Sequence, residues 1–441
     1  MGIDFIIENM HGYGERLAVV TGGKEYTYAD LLCEYEKAVA FLSEMQIPQN
    51  SVVALRGEFS PNTIGMMLAL VALGAVYVPI ATAVKSPEEY IRIAEVQYYI
   101  DGGRVTHTKN EMPSHPILRQ LVAQKEPGLV LFSSGTTGEP KAAVHSLVPL
   151  LEKYRKGGKA FRSVAFLLFD HIGGFNTVMY SLAAGGMLAT VRSRTPEEIA
   201  ALIQKYRLEL LPTSPSFINM LLFSRIHEKY DLSSLKIISY GTEPMPLATL
   251  QAIHAVLPDV RLKQTYGLSE VGIIRTKSEA DDSLWLKVGG DDEHQIKIVD
   301  GILYIKSKMS MLGYLNAPSP FDADGWMNTR DRVEQKGEYI RILGRESELI
   351  NVGGEKVFPE EVENVLLQVP GVQDAVASGE KNPILGTIVT CRIAVAEGTD
   401  TAALRKAIQK HCLENLEKFK RPVKITFETH TFNSERFKRK R

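Results

Sequence analysis

Apolar side chains recur with a helical period in several parts of the chain. After a strand-like "RLAVV" and a Gly22-Gly23 turn, Leu31, Tyr35, Val39 and Leu42 return every three or four residues. Thr27-Tyr28-Ala29-Asp30, directly before them, has the form of a capping box. The pattern therefore predicts a β-hairpin followed by an amphipathic helix.

Short apolar runs without that period separate further helical segments and are typical of buried strands. Helical patterns, such as "TPEEIAALIQKY" and "SFINMLLFSRI", lie between them. Strands that alternate with helices predict an α/β fold with a largely parallel sheet, in which ligands bind at the carboxyl ends of the strands. The predicted strands are "SVVALRG" (51–57), "LVLF" (129–132), "SVAFLLF" (163–169), "LELLPTS" (208–214) and "LKIISYG" (235–241).

The longest uncharged run, 60–84, is long enough to resemble a membrane span. Gly65, Gly74 and Pro79 interrupt it. We therefore interpret it as a buried helix over about 62–73, a turn at Gly74 and a buried strand over 75–78.

The pattern changes twice in the second half of the chain. "HQIKIVDGILYIKS" alternates on both sides of Asp300-Gly301, which predicts a hairpin. From Gly344 onward, "FPEEVENVLLQVPGV" predicts a helix that begins at Pro359 and closes before Pro370-Gly371. The strand "TIVTCRIAV", a helix with Leu404, Ile408 and Cys412 on one face, and the strand "VKITFE" follow. The sequence predicts a large domain over 1–343 and a small α+β domain over 344–441, joined by a short hinge.

Composition narrows the class of protein. The chain has 441 residues, 44% hydrophobic and 23% charged, with a net charge of −1, so nothing draws it generally to nucleic acid or to an anionic membrane. Its three cysteines are too few and too scattered for a disulfide framework or a zinc site, and they suit a reducing compartment. The first residues, "MGIDFIIENM", lack the basic segment of a secretory signal, so we expect a cytoplasmic protein without a membrane span.

The segment "LFSSGTTGEPKAAVH" (131–145) contains the first candidate functional residues. A glycine-rich turn after a buried strand exposes backbone N–H groups, which with hydroxyls and a cation can hold phosphate oxygens or a Mg²⁺ ion. The pattern is not a Walker A loop, because Glu139 and Pro140 separate the last glycine from the lysine. The candidate phosphate-binding residues are Ser133, Ser134, Gly135, Thr136, Thr137, Gly138 and Lys141.

"SSGTTGEPK" resembles the phosphate loop of the acyl-adenylate-forming superfamily, which includes acyl-CoA synthetases, aryl-acid ligases and nonribosomal-peptide adenylation domains. Three later segments resemble that family's motifs in the same order: "YGTEP" (240–244), "QTYGLSE" (264–270) and "DADGWMNTRD" (322–331). A fourth, "YIRILGRESELINVGGEKVFPEEVE" (339–363), resembles its hinge segment. The resemblance implies a large multi-sheet N-terminal domain, a small mobile C-terminal domain, ATP and Mg²⁺.

Carried over to this chain, the resemblance implies a role for each motif. Tyr266 would lie near adenine, with Gly267 beside it, and Ser269 near the α-phosphate. Glu270, with Thr137, would hold Mg²⁺. Asp331 would bind the ribose hydroxyls, Arg345 the ribose or phosphate, and Ser347 would be the hinge. The adenine pocket would also include Gly241, Thr242 and Glu243.

The sequence departs from the family pattern in three places. Arg330 replaces the usual glycine before Asp331, and the segment 288–303 is shorter than usual. The C-terminal "TFNSERFKRKR" contains no Gly-Lys pair, although the lysine of that pair assists adenylation in the family. Lys438 is the expected catalytic lysine by position, with Arg436 and Lys440 as rivals and a solvated basic tail as the alternative.

"LLFDHIGGFN" (167–176) falls where the family builds its carboxylate pocket. "HIGGFN" resembles the His-x-Gly-Gly segment of acyl-CoA synthetases, which implies His171 near the carboxylate and an acyl group passing Gly173 and Gly174. Asp170 raises an alternative, because amino-acid-activating relatives place an aspartate there to pair with the α-amine. A core-packing role for His171 also remains open.

The resemblance implies an ATP-dependent acid–thiol ligase. A carboxylic acid would be activated as acyl-AMP, with Lys438, Glu270, His171 and Lys141 as catalytic residues. The acyl group would then pass to the thiol of CoA or of the phosphopantetheine on a separate carrier protein, near Gly353-Gly354. The alternatives are a stand-alone amino-acid adenylating enzyme and a nucleotide-binding homologue with impaired catalysis.

Overall fold

The computed structural model describes residues 2–109, 111–133, 139–382, 386–430 and 432. Strands and helices alternate through the first part, as expected. The α-helices in the described ranges are Asp4–Tyr13, Tyr28–Glu44, Pro61–Ala72, Pro87–Ile93, Pro116–Gln124, Leu147–Glu152, Ile172–Ala184, Pro196–Tyr206, Pro215–Phe223, Leu247–Val256, Pro359–Leu366 and Thr401–Asn415, with 3₁₀ turns at Ile226–Glu228, Glu346–Glu348 and Lys418–Lys420.

The first sheet is parallel except for its terminal hairpin. Its buried valine, leucine and isoleucine side chains pack against the helices that connect the strands. The capping box at Thr27 and Asp30 is present: each side chain accepts a bond from the other's backbone N–H. In spatial order the strands are Arg261–Gln264, Ile237–Tyr240, Leu210–Thr213, Arg162–Ala165, Met187–Thr190, Leu17–Thr21 and Lys24–Thr27.

The second sheet is parallel in its centre and antiparallel at both edges. Its strands are, in order, Gly313–Tyr314, Lys141–Ser146, Gly128–Ser133, Val76–Ala81, Val52–Gly57, Tyr98–Asp101 and Arg104–His107. The uncharged run forms the buried helix Pro61–Ala72, a left-handed turn at Gly74 and the strand Val76–Ala81, as predicted. In the part of the chain that is described, no helix combines the length and apolarity needed to cross a bilayer.

An antiparallel sheet follows these two mixed sheets. The hairpin at Asp300 and Gly301 is confirmed, and both residues have positive φ, at 51° and 74°, as a tight hairpin turn requires. The sheet's strands are, in spatial order, Thr276–Ser278, Leu286–Val288, Tyr339–Arg345, Met327–Lys336, Ile302–Ser307 and His294–Val299; a separate pair is formed by Tyr266–Leu268 and Gly272–Ile274.

The last part of the chain, from Ile350 to Glu428, has its own apolar core and is called the C-terminal module below. Leu404, Ile408 and Cys412 are buried in that core on one face of their helix, as the spacing predicted. Ser347 is exposed, in the 3₁₀ turn before the module. The module's strands are Ile350–Val352, Glu355–Val357, Asp374–Asn382, Gly386–Ala394 and Lys424–Glu428.

One strand prediction was wrong in extent. "SVAFLLF" was expected to be extended throughout, but the strand ends at Ala165. Arg194 Nε donates to the carbonyl oxygen of Phe166 at 2.6 Å, which occupies a backbone group that the sheet would otherwise use. The chain turns there toward the helix Ile172–Ala184.

Candidate active site

Segments far apart in the sequence meet around a cavity of about 280 Å³. One wall is the chain that follows the strand Ile237–Tyr240, and another is the segment from Gln264 to Leu268. Asp331 and Arg345 lie on neighbouring strands of the antiparallel sheet. Six residues predicted from sequence to bind nucleotide line this cavity: Thr242, Glu243, Tyr266, Gly267, Asp331 and Arg345.

The strand end at Gly241 is shaped by close packing. A Cβ atom there would lie 2.5 Å from Thr265 Oγ1 and 2.8 Å from the Thr265 carbonyl oxygen, so only glycine fits. Thr242 follows with φ 74°, a left-handed conformation that is costly for a β-branched residue. Glu243 Oε1 accepts a hydrogen bond from Ser216 N at 2.7 Å, at the amino end of the helix Pro215–Phe223. A carboxylate is favoured at that end of a helix, so Glu243 is firmly held.

Asp331 is a buried carboxylate in the cavity wall with two side-chain partners. Its side chain is 8% exposed and accepts a hydrogen bond from Tyr266 Oη at 2.5 Å. Arg345 Nε lies 3.4 Å from the other carboxylate oxygen. Burial raises the pKa of Asp331, and the Arg345 charge opposes that rise. Tyr266 and Asp331, two predicted nucleotide ligands, are thus in direct contact.

Arg330 has φ 60°, the left-handed region that glycine adopts without cost. Its backbone N–H donates to Asn328 Oδ1 at 2.8 Å. Arg330, which replaces the glycine usual in the family, therefore adopts the glycine-like backbone conformation of the turn before Asp331.

Lys141 and Glu270 meet through a tyrosine that the sequence analysis did not single out. Tyr314 Oη donates a hydrogen bond to Glu270 Oε1, and Lys141 Nζ lies 5.7 Å from the centre of the Tyr314 ring. Asn316 fixes the chain on both sides of Lys141, since it donates to the Pro140 carbonyl at 2.9 Å and accepts from Ala142 N at 3.0 Å. Ser133 is paired with Lys141 across the strands that flank the loop.

The rest of the phosphate loop cannot be placed in this arrangement. Ser134, Gly135, Thr136, Thr137 and Gly138 lie outside the described residues. So do Lys438 and its rivals Arg436 and Lys440.

Glu270 supplies the kind of oxygen ligand that Mg²⁺ takes. In the described ranges no three His, Cys, Asp or Glu side chains are grouped so that they could hold a metal by themselves. Mg²⁺ in nucleotide sites is usually held by one or two carboxylates together with phosphate oxygens and waters. A single carboxylate held by Tyr314 beside Lys141 fits that mode of binding.

His145 contacts the backbone of the segment that carries Ser269 and Glu270, two predicted ligands of the phosphates and Mg²⁺. Its side chain is fully buried, and Nε2 lies 2.6 Å from the Ser269 carbonyl oxygen. Burial lowers its pKa to about 4, because charging the ring inside the protein is unfavourable. The neutral ring therefore holds the segment that carries Ser269 and Glu270.

This low pKa predicts a loss of stability in mild acid. Between pH 6.5 and pH 4 the unfolded chain protonates His145 while the folded chain does not, so the free energy of unfolding falls as pH falls. We expect this group alone to remove about 2 kcal/mol between pH 7.5 and pH 5. Urea unfolding at both pH values measures it. His145→Gln is expected to lose that part of the pH dependence, and an identical dependence in both proteins would contradict the assignment.

His171 begins the helix Ile172–Ala184, and its Nδ1 accepts a hydrogen bond from Gly173 N at 3.0 Å. A Cβ atom at Gly174 would lie 2.0 Å from the Leu168 carbonyl oxygen, so packing alone requires that glycine. Asp170 is buried, and its charge acts on Tyr77 and Arg194. The roles of Asp170, His171, Gly173 and Gly174 toward an acid stay predictions.

Comparison with known proteins identifies the same architecture. The family described as AMP-binding enzyme matches residues 7–315, and the AMP-binding enzyme C-terminal domain matches residues 361–431. A fatty acid–[acyl-carrier-protein] ligase, MmaC, from Mycobacterium marinum is 25% identical, covering 96% of this chain and 93% of its own length. Indoleacetate–CoA ligase from Aromatoleum aromaticum is also 25% identical, over 92% and 89% of the two chains. The crystal structure of the anthranilate CoA ligase AuaEII with anthranoyl-AMP superposes with a TM-score of 0.84 at 20% identity, over 99% and 95% of the chains.

Proposed function

This chain belongs to the AMP-binding enzyme family, and from that premise we propose that it activates a carboxylic acid with ATP and transfers the acyl group to a thiol. The acceptor is CoA or the phosphopantetheine of a carrier protein. The observation that carries the proposal is the convergence of Tyr266, Asp331 and Arg345 with the strand end at Thr242 and Glu243 around one cavity.

The reaction has two steps. A carboxylate oxygen of the acid attacks the α-phosphorus of ATP, the bond from that phosphorus to the bridging oxygen breaks, and pyrophosphate leaves with the electron pair. The thiol sulfur then attacks the acyl carbon and the acyl–oxygen bond to AMP breaks. AMP leaves, and the thiol proton passes to solvent.

We assign the residues of this chain to those steps by charge and position. Lys141 and the loop 133–138 hold the phosphates, while Asp331 binds the ribose hydroxyls and Arg345 contacts the ribose or a phosphate. Tyr266 borders the adenine, and Ser269 approaches the α-phosphate. A Mg²⁺ ion held by Glu270, with Thr137, would neutralise charge on the phosphates.

The acid pocket and the mobile module complete the proposal. We assign His171 to the carboxylate of the acid, and Gly173 and Gly174 to the acyl group. We place the domain boundary between residues 343 and 344, with Ser347 as the hinge. Rotation there would remove Lys438 and present Gly353-Gly354 to the pantetheine thiol, a gating step between the two half-reactions.

Pyrophosphate exchange tests the first half-reaction. The protein is supplied with ATP, Mg²⁺ and, in turn, fatty, aryl, hydroxy and amino acids, and labelled pyrophosphate is followed into ATP. We expect exchange with a fatty or aryl acid. Exchange with amino acids alone would identify an amino-acid adenylating enzyme. Nucleotide binding without exchange by any acid would identify a homologue with impaired catalysis.

The relatives include ligases that use a carrier protein and ligases that use CoA. MmaC is a carrier-protein ligase by name, and the indoleacetate enzyme is a CoA ligase. Supplying the active acid with CoA or with a phosphopantetheinylated carrier protein, and detecting the thioester by mass, decides between the two acceptors.

A further inference from the structure

The C-terminal module provides a cap for a helix outside it. The helix Leu247–Val256 begins after Pro246, which has no side chain able to accept a hydrogen bond from the first turn. Asn364 Oδ1, on the module's helix Pro359–Leu366, accepts a hydrogen bond from Ala248 N at 3.0 Å. Ala248 is the second residue of its helix, and a side-chain oxygen on that N–H is what an N-cap residue normally supplies.

A second hydrogen bond joins the same two parts of the chain. Asn219 Nδ2, on the helix Pro215–Phe223, donates to the carbonyl oxygen of Gln373 at 2.8 Å. Asn364 and Gln373 are both on the module, one in its first helix and one directly before the strand Asp374–Asn382. The two bonds therefore hold the module at two points.

Packing between these two points is loose. A cavity of about 290 Å³ lies there, lined by Leu222, Phe223 and Ala252 on one side and by Leu367 and Val372 on the other. Phe223 keeps 39% of its surface exposed. The two hydrogen bonds therefore lie beside an apolar contact that is incompletely packed.

We propose that Asn364 is a positioning residue: its bond to Ala248, together with the Asn219–Gln373 bond, forms a releasable latch that holds the C-terminal module in the orientation seen here. The inference rests on the proposed function, in which the module turns between the two half-reactions. Removing an N-cap asparagine shifts an equilibrium about five-fold. The latch therefore sets how often the module is docked without preventing its release.

Distance measurement between two spin labels tests the latch without relying on catalysis. Cys33 is exposed and carries one label, Lys410→Cys on the exposed face of the module carries the other, and Cys391 and Cys412 are buried. We expect one dominant distance in the parent protein. Asn364→Ala should reduce the ratio of that population to all others about five-fold. Asn364→Asp, which keeps an acceptor oxygen, should restore it.

Two further variants provide a matched control and a second test. Asn415 is exposed on the same module, and among the described residues its side chain bonds to His411 in its own helix, so Asn415→Ala should leave the distances unchanged. Asn219→Ala removes the second bond and should shift the population in the same direction as Asn364→Ala. An unchanged distribution in Asn364→Ala, or an equal change in Asn415→Ala, overturns the latch.

The half-reactions give a second readout. A latch favours the orientation that serves one half-reaction, so Asn364→Ala should alter the rate of adenylation relative to the rate of thioester formation from supplied acyl-AMP. Equal loss in both overturns it. If no acid supports exchange, the proposed function fails, while the distance measurement still decides the latch.

Discussion

Lys438→Ala is expected to slow acyl-adenylate formation by about 10²–10³-fold, while thioester formation from supplied acyl-AMP stays within about two-fold of the parent rate. Attack of a carboxylate on the α-phosphorus brings two anions together and adds charge to the phosphorus oxygens. A lysine that bridges the two neutralises that charge in the transition state. Once acyl-AMP exists, the remaining step has no such need.

The two half-reactions are measured separately. Pyrophosphate exchange reports adenylation, and synthetic acyl-AMP with the thiol acceptor reports transfer. Lys438 lies outside the described residues, so this assignment rests on its position in the sequence. An equal loss in both half-reactions would show that the change damages the fold or a shared contact.

The neighbouring cations are the matched controls. Arg436→Ala and Lys440→Ala remove one charge each from the same C-terminal segment and should leave adenylation nearly unchanged. If Lys440→Ala reproduces the loss and Lys438→Ala does not, the catalytic role moves to Lys440. If none of the three matters, the segment is a solvated tail and the cation comes from elsewhere.

Local patterns were sufficient for most of the architecture. The capping box at Thr27, the hairpin at Asp300-Gly301 and the helix face of Leu404, Ile408 and Cys412 all depend on residues a few positions apart. The early end of one strand, at Ala165, was not predicted. Arg194, which lies 28 residues further along the chain, donates a hydrogen bond to the Phe166 carbonyl there.

In the site, too, sequence motifs predicted individual residues but not the contacts between residues far apart in the chain. Motif residues Tyr266 and Asp331 were predicted separately, but their mutual hydrogen bond required the fold. Tyr314, which joins Lys141 to Glu270, carries no motif of its own. Contacts formed across such distances leave no periodic signal, so only the structure could give them.

Asp331→Ala is expected to raise the KM for ATP about 10²-fold with a much smaller change in kcat. A buried carboxylate can accept hydrogen bonds from both ribose hydroxyls, and bonds to a charged group contribute about 1.5–3 kcal/mol each. The ribose hydroxyls take no part in bond making or breaking at the α-phosphorus, so these bonds stabilise the ground state and the transition state about equally. Loss of such uniform binding appears in KM. Initial rates of exchange at varied ATP concentration measure both constants.

A nucleotide that lacks the ribose hydroxyls separates a ribose contact from a structural effect. The parent protein should use 2′,3′-dideoxy-ATP far less well than ATP, whereas Asp331→Ala should treat the two nearly alike, because the partner of the hydroxyls is gone. Asp331→Asn keeps an acceptor for Tyr266 Oη, which is 2.5 Å away. Its KM for ATP should lie between those of the parent protein and Asp331→Ala. Asp324→Ala, at an exposed aspartate in the same loop, is the matched control and should leave KM unchanged. If Asp331→Ala still discriminates between the two nucleotides as the parent does, the carboxylate serves only to hold Tyr266 and Arg345, and the ribose binds elsewhere.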